Sequence, residues 1–131
     1  MIRPQYHFRP SPNGFYAWDI VKLLRTHAHL VPKAVPLSAI AELDEDWWFG
    51  TGAAPTPRAL AAHMAQVAAV DRSYPILLDA EGRLMDGMHR VVQALMAGDD
   101  TILATQLPQM PAPDYTDVVP ADLPHADIET G

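Results

Sequence analysis

One short run in the second half of the chain concentrates side chains that can bind an anion and move a proton. The run is Asp86-Gly87-Met88-His89-Arg90. It lies where an apolar segment typical of a strand passes into one typical of a helix. Glycine lets a backbone approach a ligand closely, and the free N–H groups of a helix start attract phosphate. His89 and Arg90 add two donors beside these groups, so the pattern indicates a phosphate clamp.

The same residues also have a purely structural interpretation. Asp86 can cap the helix or, if it is poised, accept a proton. His89 and Arg90 lie off the apolar stripe of the predicted helix, so we expect them to face its edge or the solvent. If they only meet water, they are ordinary surface groups. Spacing alone does not decide between the two interpretations.

Further candidates come from earlier in the chain. His63 falls on the apolar stripe of a predicted helix, where it is either half-buried and hydrogen-bonded or directed into a cleft. No metal site is expected, because no His-x3-His or Glu-x-x-His spacing is present. If the clamp serves phosphoryl transfer, a carboxylate must orient or deprotonate the hydroxyl group that accepts the phosphate. The candidates for that carboxylate are Asp86, Glu42, Asp44 and Asp71. The aromatic run 47–49 serves either core packing or stacking on a base.

The elements that must position this motif are clear in the second half. Thr56 and Pro57 form an N-cap followed by proline at the first helical position, and Gly98 is a typical C-terminal cap. Strands are indicated by apolar runs that flank a turn over 79–82. The predicted elements are a helix from Pro57 to near Val70, strands over 75–78 and 83–85, a helix from Met88 to Gly98, and a strand over 101–107.

The first half is less regular. Residues 1–16 are rich in proline and turn-forming residues, so we expect regular structure to begin after them. Helical spacing of Trp18, Val21 and Leu24 predicts a helix over 17–29, which Pro32 stops. The run 34–37 is expected to be an edge strand because it contains a proline, and Ser38 to cap a short turn after it.

The order of these elements, together with the Asp-Gly-x-His-Arg motif at 86–90, resembles the ParB/sulfiredoxin-like domain over about residues 33–107. That resemblance implies a small mixed α/β (α+β) fold with a short mixed sheet and flanking helices. We therefore expect a domain over 17–107, between a segment 1–16 and an acidic, proline-rich tail 108–131. In that superfamily the helix start binds nucleotide phosphates: ATP in sulfiredoxins, CTP in partition proteins and ADP in ParB-like free serine kinases.

Departures from the family pattern narrow the choice. Sulfiredoxins need a cysteine where this chain has Met88, and the chain has no cysteine, so reduction of a sulfinic acid is excluded. Partition proteins carry more arginines at the motif and two further domains. The motif is most similar to the ParB-like kinase branch, which implies a nucleotide (ATP, ADP or CTP), Mg²⁺ and phosphorylation of a small hydroxyl compound, or hydrolysis of the nucleotide. Asp86 and His89 are then the catalytic candidates. The nucleotide-binding candidates are Gly87, Met88, His89, Arg90 and His63.

Length and charge set the remaining expectations. A chain of 131 residues fits one domain, and the lack of a long apolar run or signal peptide predicts a cytoplasmic protein without membrane contact. Residues 1–98 hold nine basic and nine acidic residues, whereas 99–131 hold seven acidic and none basic. This balance disfavours DNA binding by a monomer and nuclease activity. The sequence leaves open whether the chain forms a homodimer.

The competing hypothesis is a non-catalytic adaptor. It would keep the ParB-like fold and use the aromatic run 47–49 and the tail 108–131 to bind a protein or nucleic-acid partner. The tail itself either solubilises the protein or folds back over a site or partner.

Overall fold

The computed structural model describes residues 5–50 and 54–124 and has a mixed α/β fold, as expected. Two compact units make up the chain: one from residues 1–30 and 110–131, the other from residues 31–109. We call them the split unit and the continuous unit. Within the described residues, no helix has the length and apolar character needed to cross a bilayer.

In chain order, the elements are β1 (Tyr6–Ser11), β2 (Gly14–Asp19), α1 (Ile20–Thr26), β3 (Lys33–Pro36), α2 (Pro57–Ala69), β4 (Ile76–Leu78), β5 (Leu84–Asp86), α3 (Met88–Met96), β6 (Thr101–Gln106) and β7 (Tyr115–Val118). Three short 3-10 turns complete them: Leu37–Ala39, Ala41–Asp44 and Pro120–Asp122.

In the split unit the first three elements differ from the sequence prediction. The opening segment is not irregular, because β1 pairs antiparallel with β2 along its whole length. The predicted helix over 17–29 is wrong at both ends. Trp18 belongs to β2, and α1 begins only after Asp19, whose carboxylate accepts a hydrogen bond from the Lys22 amide at 3.2 Å. Strand pairing thus overrides the helical spacing of Trp18 with Val21 and Leu24.

The tail was expected to be extended or mobile without a core of its own, and its described part contains a paired strand. Strand β7 adds to the sheet in the order β1-β2-β7 and runs antiparallel to β2. The indole N–H of Trp18 donates to the Pro111 carbonyl at 2.9 Å, and the Asp19 amide donates to the Asp114 carboxylate at 2.8 Å. These contacts give the described part of the tail a structural role. Residues 1–4 and 125–131 of the two predicted segments lie outside the described residues.

In the continuous unit most sequence predictions are confirmed. Its sheet has the order β3-β6-β4-β5, with β4 parallel to β6 and the other pairs antiparallel, so β3 is an edge strand as its proline predicts. The Thr56 hydroxyl caps α2 by accepting from the Ala59 amide at 3.1 Å. Gly98 follows α3 with a φ of +79°. These outcomes follow from local capping chemistry that tertiary packing does not oppose.

The β4–β5 hairpin places the motif and is held by two buried carboxylates. Asp79 accepts hydrogen bonds from the amides of Glu81 and Arg83, both at 2.8 Å, which closes the turn. Glu42 accepts from the Leu84 amide at 3.1 Å. The expected Ser38 cap is wrong, because Ser38 lies inside the first 3-10 turn, which has no side-chain cap.

The two helices of this unit lie side by side and are joined by a polar contact. The Gln93 side chain on α3 donates to the carbonyls of Val67 and Val70 at the end of α2, at 2.7 and 3.1 Å. The predicted apolar stripe of α2 is only partly confirmed: Val67 is buried, but Leu60 is 46% exposed. Helix α2 is therefore fixed by this contact and by residues of the candidate site.

Candidate functional site

The start of α3 depends on the backbone of Gly87. This residue is the N-cap, has φ +111° and ψ +22°, and leaves the first turn without a side-chain cap. A Cβ at this position would lie 2.7 Å from Cγ2 of Ile76 and 3.0 Å from Nη2 of Arg90. Only glycine fits both the backbone angle and the space. The amides of the first turn therefore remain without a side-chain partner, the condition under which helix starts bind anions.

Two histidines from different helices meet beside this start. His63 on α2 and His89 on α3 are joined by a hydrogen bond of 2.9 Å between Nδ1 of His63 and Nε2 of His89. Both rings are half-buried. His63 therefore does not stand alone on an apolar face, and His89 lies at the edge of α3 as its position off the apolar stripe indicates. The packing of α2 on α3 brings together two residues 26 positions apart.

Trp48 covers the histidine pair. Its ring is stacked on His63 at a centroid distance of 4.3 Å and on His89 at 5.1 Å, with interplanar angles of 13° and 20°. Phe49 meets the edge of His63 at 5.5 Å. Trp48 also packs against the hydrophobic core. Trp48 thus packs against the core and also covers the histidine pair, whereas stacking of the aromatic run on a base stays a prediction.

The hydrogen bond constrains the protons of the pair. One neutral imidazole donates through one ring nitrogen and accepts through the other. If His63 donates through Nδ1, its Nε2 is a base and His89 carries its proton on Nδ1. If His89 donates through Nε2, its Nδ1 is the base and His63 carries its proton on Nε2. In both arrangements the pair presents one base and one N–H donor at its outer nitrogens. The outer nitrogens have no hydrogen bond within the described part of the chain.

The surroundings keep both rings neutral at neutral pH. Burial lowers the pKa of His63 below its ordinary value of 6.5. Burial also lowers the pKa of His89, and the nearby His63 and Arg90 lower it further. A charged imidazole loses hydration in this position and gains no carboxylate partner, which explains why both pKa values are lowered. Neutral imidazoles are the form that can act as a base.

Asp86 and Arg90 form an ion pair next to the histidines. Nη2 of Arg90 lies 3.0 Å from Oδ2 of Asp86, and Nη1 donates to the Tyr74 carbonyl at 3.4 Å. Asp86 does not cap α3, since it ends β5 and Gly87 is the N-cap. Burial raises the pKa of the Asp86 carboxyl, and Arg90 opposes that effect. Arg90 is therefore a partly neutralised cation held at the helix start.

The other candidate carboxylates are not alike. Glu42 is buried and holds the β4–β5 hairpin, whereas Asp44 is exposed. Asp71 is also exposed, and its pKa is lowered mainly by hydrogen bonds from Ser73 and less by the charge of Arg90. Asp71 thus lies in the electrostatic field of Arg90, whereas Asp86 is the candidate carboxylate that contacts Arg90 directly. Within residues 5–50 and 54–124, no group of three or more histidine, cysteine or carboxylate side chains is arranged so that it could hold a metal ion.

Sequence reasoning singled out His63, Asp86, Gly87, Met88, His89 and Arg90, and the structure brings all six to the start of α3 or next to it. It missed the stacking of Trp48 on both histidines, because a contact between the irregular segment after a 3-10 turn and two helices has no short-range signature. It also missed the Tyr74 carbonyl as a partner of Arg90. No family model, curated protein or solved structure matches the chain.

Proposed function

We propose that this protein binds the phosphates of a nucleotide at the first turn of α3 and acts as a small-molecule phosphotransferase or nucleotide hydrolase. The observation that carries the proposal is the hydrogen-bonded pair of His63 and His89 beside a helix start without a side-chain cap. The helix start attracts phosphate, and the pair supplies a base and a donor. The resemblance to ParB/sulfiredoxin-like domains supports ATP, ADP or CTP as the nucleotide.

Each motif residue has a role in this proposal. The backbone at Gly87 and Met88 binds phosphate oxygens, and Arg90 adds charge through its remaining N–H groups. His89 is the catalytic base or donor, and His63 orients it and shares its proton. We assign Asp86 to the positioning of Arg90 rather than to proton transfer, because Arg90 already engages Oδ2 at 3.0 Å.

The chemical step follows from these roles. The oxygen of the acceptor, a small hydroxyl compound or water, forms a bond to the terminal phosphorus. The bond from that phosphorus to the bridging oxygen breaks, and the remaining nucleotide leaves. The base nitrogen of the histidine pair takes the proton of the acceptor. The N–H at the other end of the pair stabilises developing negative charge.

Mg²⁺ fits this site only as an ion shared with the nucleotide. It is usually bound by one or two carboxylates together with phosphate oxygens and water rather than by a protein cage. Asp86 is the half-buried carboxylate at the helix start, and its Oδ1 is the oxygen that could contribute. When bound, the ion neutralises phosphate charge.

The first experiment is a titration with ATP, ADP, CTP and GTP, each with and without Mg²⁺. Calorimetry and the midpoint of thermal unfolding are the two measurements of binding. A nucleotide at 100 times its dissociation constant should stabilise the native state by about 2.7 kcal/mol. We expect a shift with at least one of ATP, ADP and CTP. A midpoint unchanged by all four nucleotides would contradict the proposal and favour the adaptor hypothesis.

Variants then locate the site. His89→Ala and Arg90→Ala should each weaken binding of that nucleotide by about tenfold, the effect of losing one charge-assisted or buried hydrogen bond. The controls are His29→Ala and Arg58→Ala, exposed residues of the same types that belong neither to the motif nor to the histidine pair. Equal binding by the wild type and both site variants would contradict the assignment.

A further inference from the structure

A cavity of about 240 Å³ opens beside the candidate site, on the side of the 3-10 region. Its wall is formed by Glu42, Leu43, Glu45, Asp46, Trp47, Trp48, Phe49, Met88 and Val92. This volume lies below the range typical of drug-sized ligands, so the cavity suits a compact molecule. Trp48, Phe49 and Met88 are shared with the candidate site, and the other residues of the wall are not used by the proposed function.

Glu42 gives the cavity an unsatisfied acceptor. Its side chain is only 2% exposed. Oε2 accepts a hydrogen bond from the Leu84 amide at 3.1 Å and forms an ion pair with Nε of Arg83 at 2.8 Å. Oε1 is buried and has no hydrogen-bond partner within the described residues. Because the hairpin engages Oε2, Oε1 is the side-chain oxygen of this lining residue that is left without a partner. A buried carboxylate oxygen without a partner is costly, so the site favours a ligand that donates to it.

The rest of the wall selects the charge of that ligand. Glu45 and Asp46 add two carboxylates near the mouth, and no basic side chain is among the lining residues. Arg83 offsets part of this charge from outside the wall by binding Glu45 at 2.8 Å. The aromatic side chains are Trp47, Trp48 and Phe49. Aromatic faces beside carboxylates are the surroundings that attract an organic cation.

We propose that this cavity binds an alkylammonium group, with an N–H donating to Oε1 of Glu42 and the charge lying against the aromatic side chains. A bare metal ion fits less well, because the described residues contain no cluster of three or more metal-ligating side chains and hard cations need six or more oxygens. A neutral ligand would add nothing to the single guanidinium of Arg83, whereas the wall carries three carboxylates. This site goes beyond the proposed function and does not depend on nucleotide binding.

The test compares two probes of nearly equal shape on the full chain, n-butylammonium and 1-butanol. Calorimetry and tryptophan fluorescence report binding. We expect the ammonium to bind at least about tenfold more tightly than the alcohol, because it adds a charge-assisted hydrogen bond and a cation–π contact. Equal affinities would overturn the proposal, as would displacement of the ammonium by equimolar Mg²⁺, which would indicate a simple divalent-cation site.

Variants identify the residues. Glu42→Gln should reduce ammonium affinity by about tenfold or more. Because Glu42 also holds the hairpin, a second variant leaves Glu42 unchanged. It combines Glu45→Gln with Asp46→Asn and removes two exposed charges of the wall. In the wild type the Phe49 amide donates to Asp46 at 3.0 Å, and the asparagine keeps an oxygen that can accept this hydrogen bond. We expect that variant to weaken ammonium binding by about threefold to tenfold.

The matched control is Asp44→Asn, an exposed acid of the same region that is not part of the wall. Its affinity should equal that of the wild type. If Asp44→Asn and the double variant weaken binding equally, the effect is one of general charge and the site is overturned. Amines and nucleotides are titrated separately, so failure of one proposal leaves the other measurable.

Discussion

Gly87 determines whether α3 can start where it does. The residue combines a φ of +111° with close contacts to Ile76 and Arg90, so a larger side chain meets both strain and a clash. The chain offers two glycines that separate these effects. Gly98 has a φ of +79° and open space, whereas Gly50 has open space and no positive φ.

We predict that Gly87→Ala lowers the free energy of unfolding by about 2–3 kcal/mol, from backbone strain together with overpacking. Gly98→Ala should cost about 1 kcal/mol, from strain alone, and Gly50→Ala close to nothing. Urea unfolding of the three variants gives the comparison. If Gly87→Ala proves no more harmful than Gly98→Ala, the tight packing at the start of α3 is wrong.

The histidine pair predicts a dependence of stability on pH. Burial lowers the pKa of His63 and of His89 below 6.5 in the folded state. The unfolded chain therefore binds more protons just below that pH, and protonation favours unfolding. The stability that the neutral pair provides is fully present above about pH 6.5 and is lost as the pH falls through the lowered pKa values.

Unfolding by urea at a series of pH values tests this. We expect the variant with His63→Gln and His89→Gln to show a flatter decline of stability than the wild type as the pH falls below about 6.5. His29→Gln, a change of an exposed histidine in the split unit, should keep the wild-type slope. An unchanged slope in the double variant would show that the pair does not titrate as inferred.

At the scale of elements, sequence reasoning succeeded where local chemistry and packing agree. Thr56, Pro57 and Gly98 mark helix ends by capping rules, and the turn at Asp79 separates two apolar runs. The apolar period predicted for α3 is kept at Met88 and Val91, which are buried, but not at Leu95 and Met96, which are 52% and 65% exposed. The motif 86–90 could therefore be placed at a junction of strand and helix from sequence alone.

The failures have a common physical cause. Prolines in the opening segment were taken to exclude a strand, but β1 is paired only with β2 and can hold Pro10 at its free edge. Strand β7 was missed because its partner lies about a hundred residues away, at Phe15 and Ala17. The contact of Trp48 with both histidines is likewise non-local. Sequence periodicity carries no information about such pairings.

At the scale of the whole molecule, the split unit draws on two distant stretches of the chain. Asp114 joins them, since its carboxylate accepts from the Asp19 amide at 2.8 Å and from Nζ of Lys22 at 2.6 Å. Removing residues 108–131 would therefore also remove β7 from the sheet. Such a deletion cannot separate an adaptor role of the tail from its structural role, and point changes are needed instead.

We predict that Asp114→Ala lowers the free energy of unfolding by about 1–3 kcal/mol, because it leaves the Asp19 amide unpaired. Amide hydrogen exchange should accelerate in β1 and β2. Asp122→Ala removes the same charge from an exposed position of the same segment and should change neither quantity. Equal effects of the two changes would mean that net charge, rather than the hydrogen bonds of Asp114, is responsible.

The pairing of β7 with β2 also has a consequence for synthesis on the ribosome. When β2 emerges, its partner β7 is still untranslated, and all of residues 31–109 must appear before the sheet can be completed. The continuous unit has its sheet and core within one uninterrupted stretch, so it can fold while translation continues. Until β7 is synthesised, β2 is paired on one side only. Its other edge exposes unpaired N–H and C=O groups that can pair with a strand of another nascent chain.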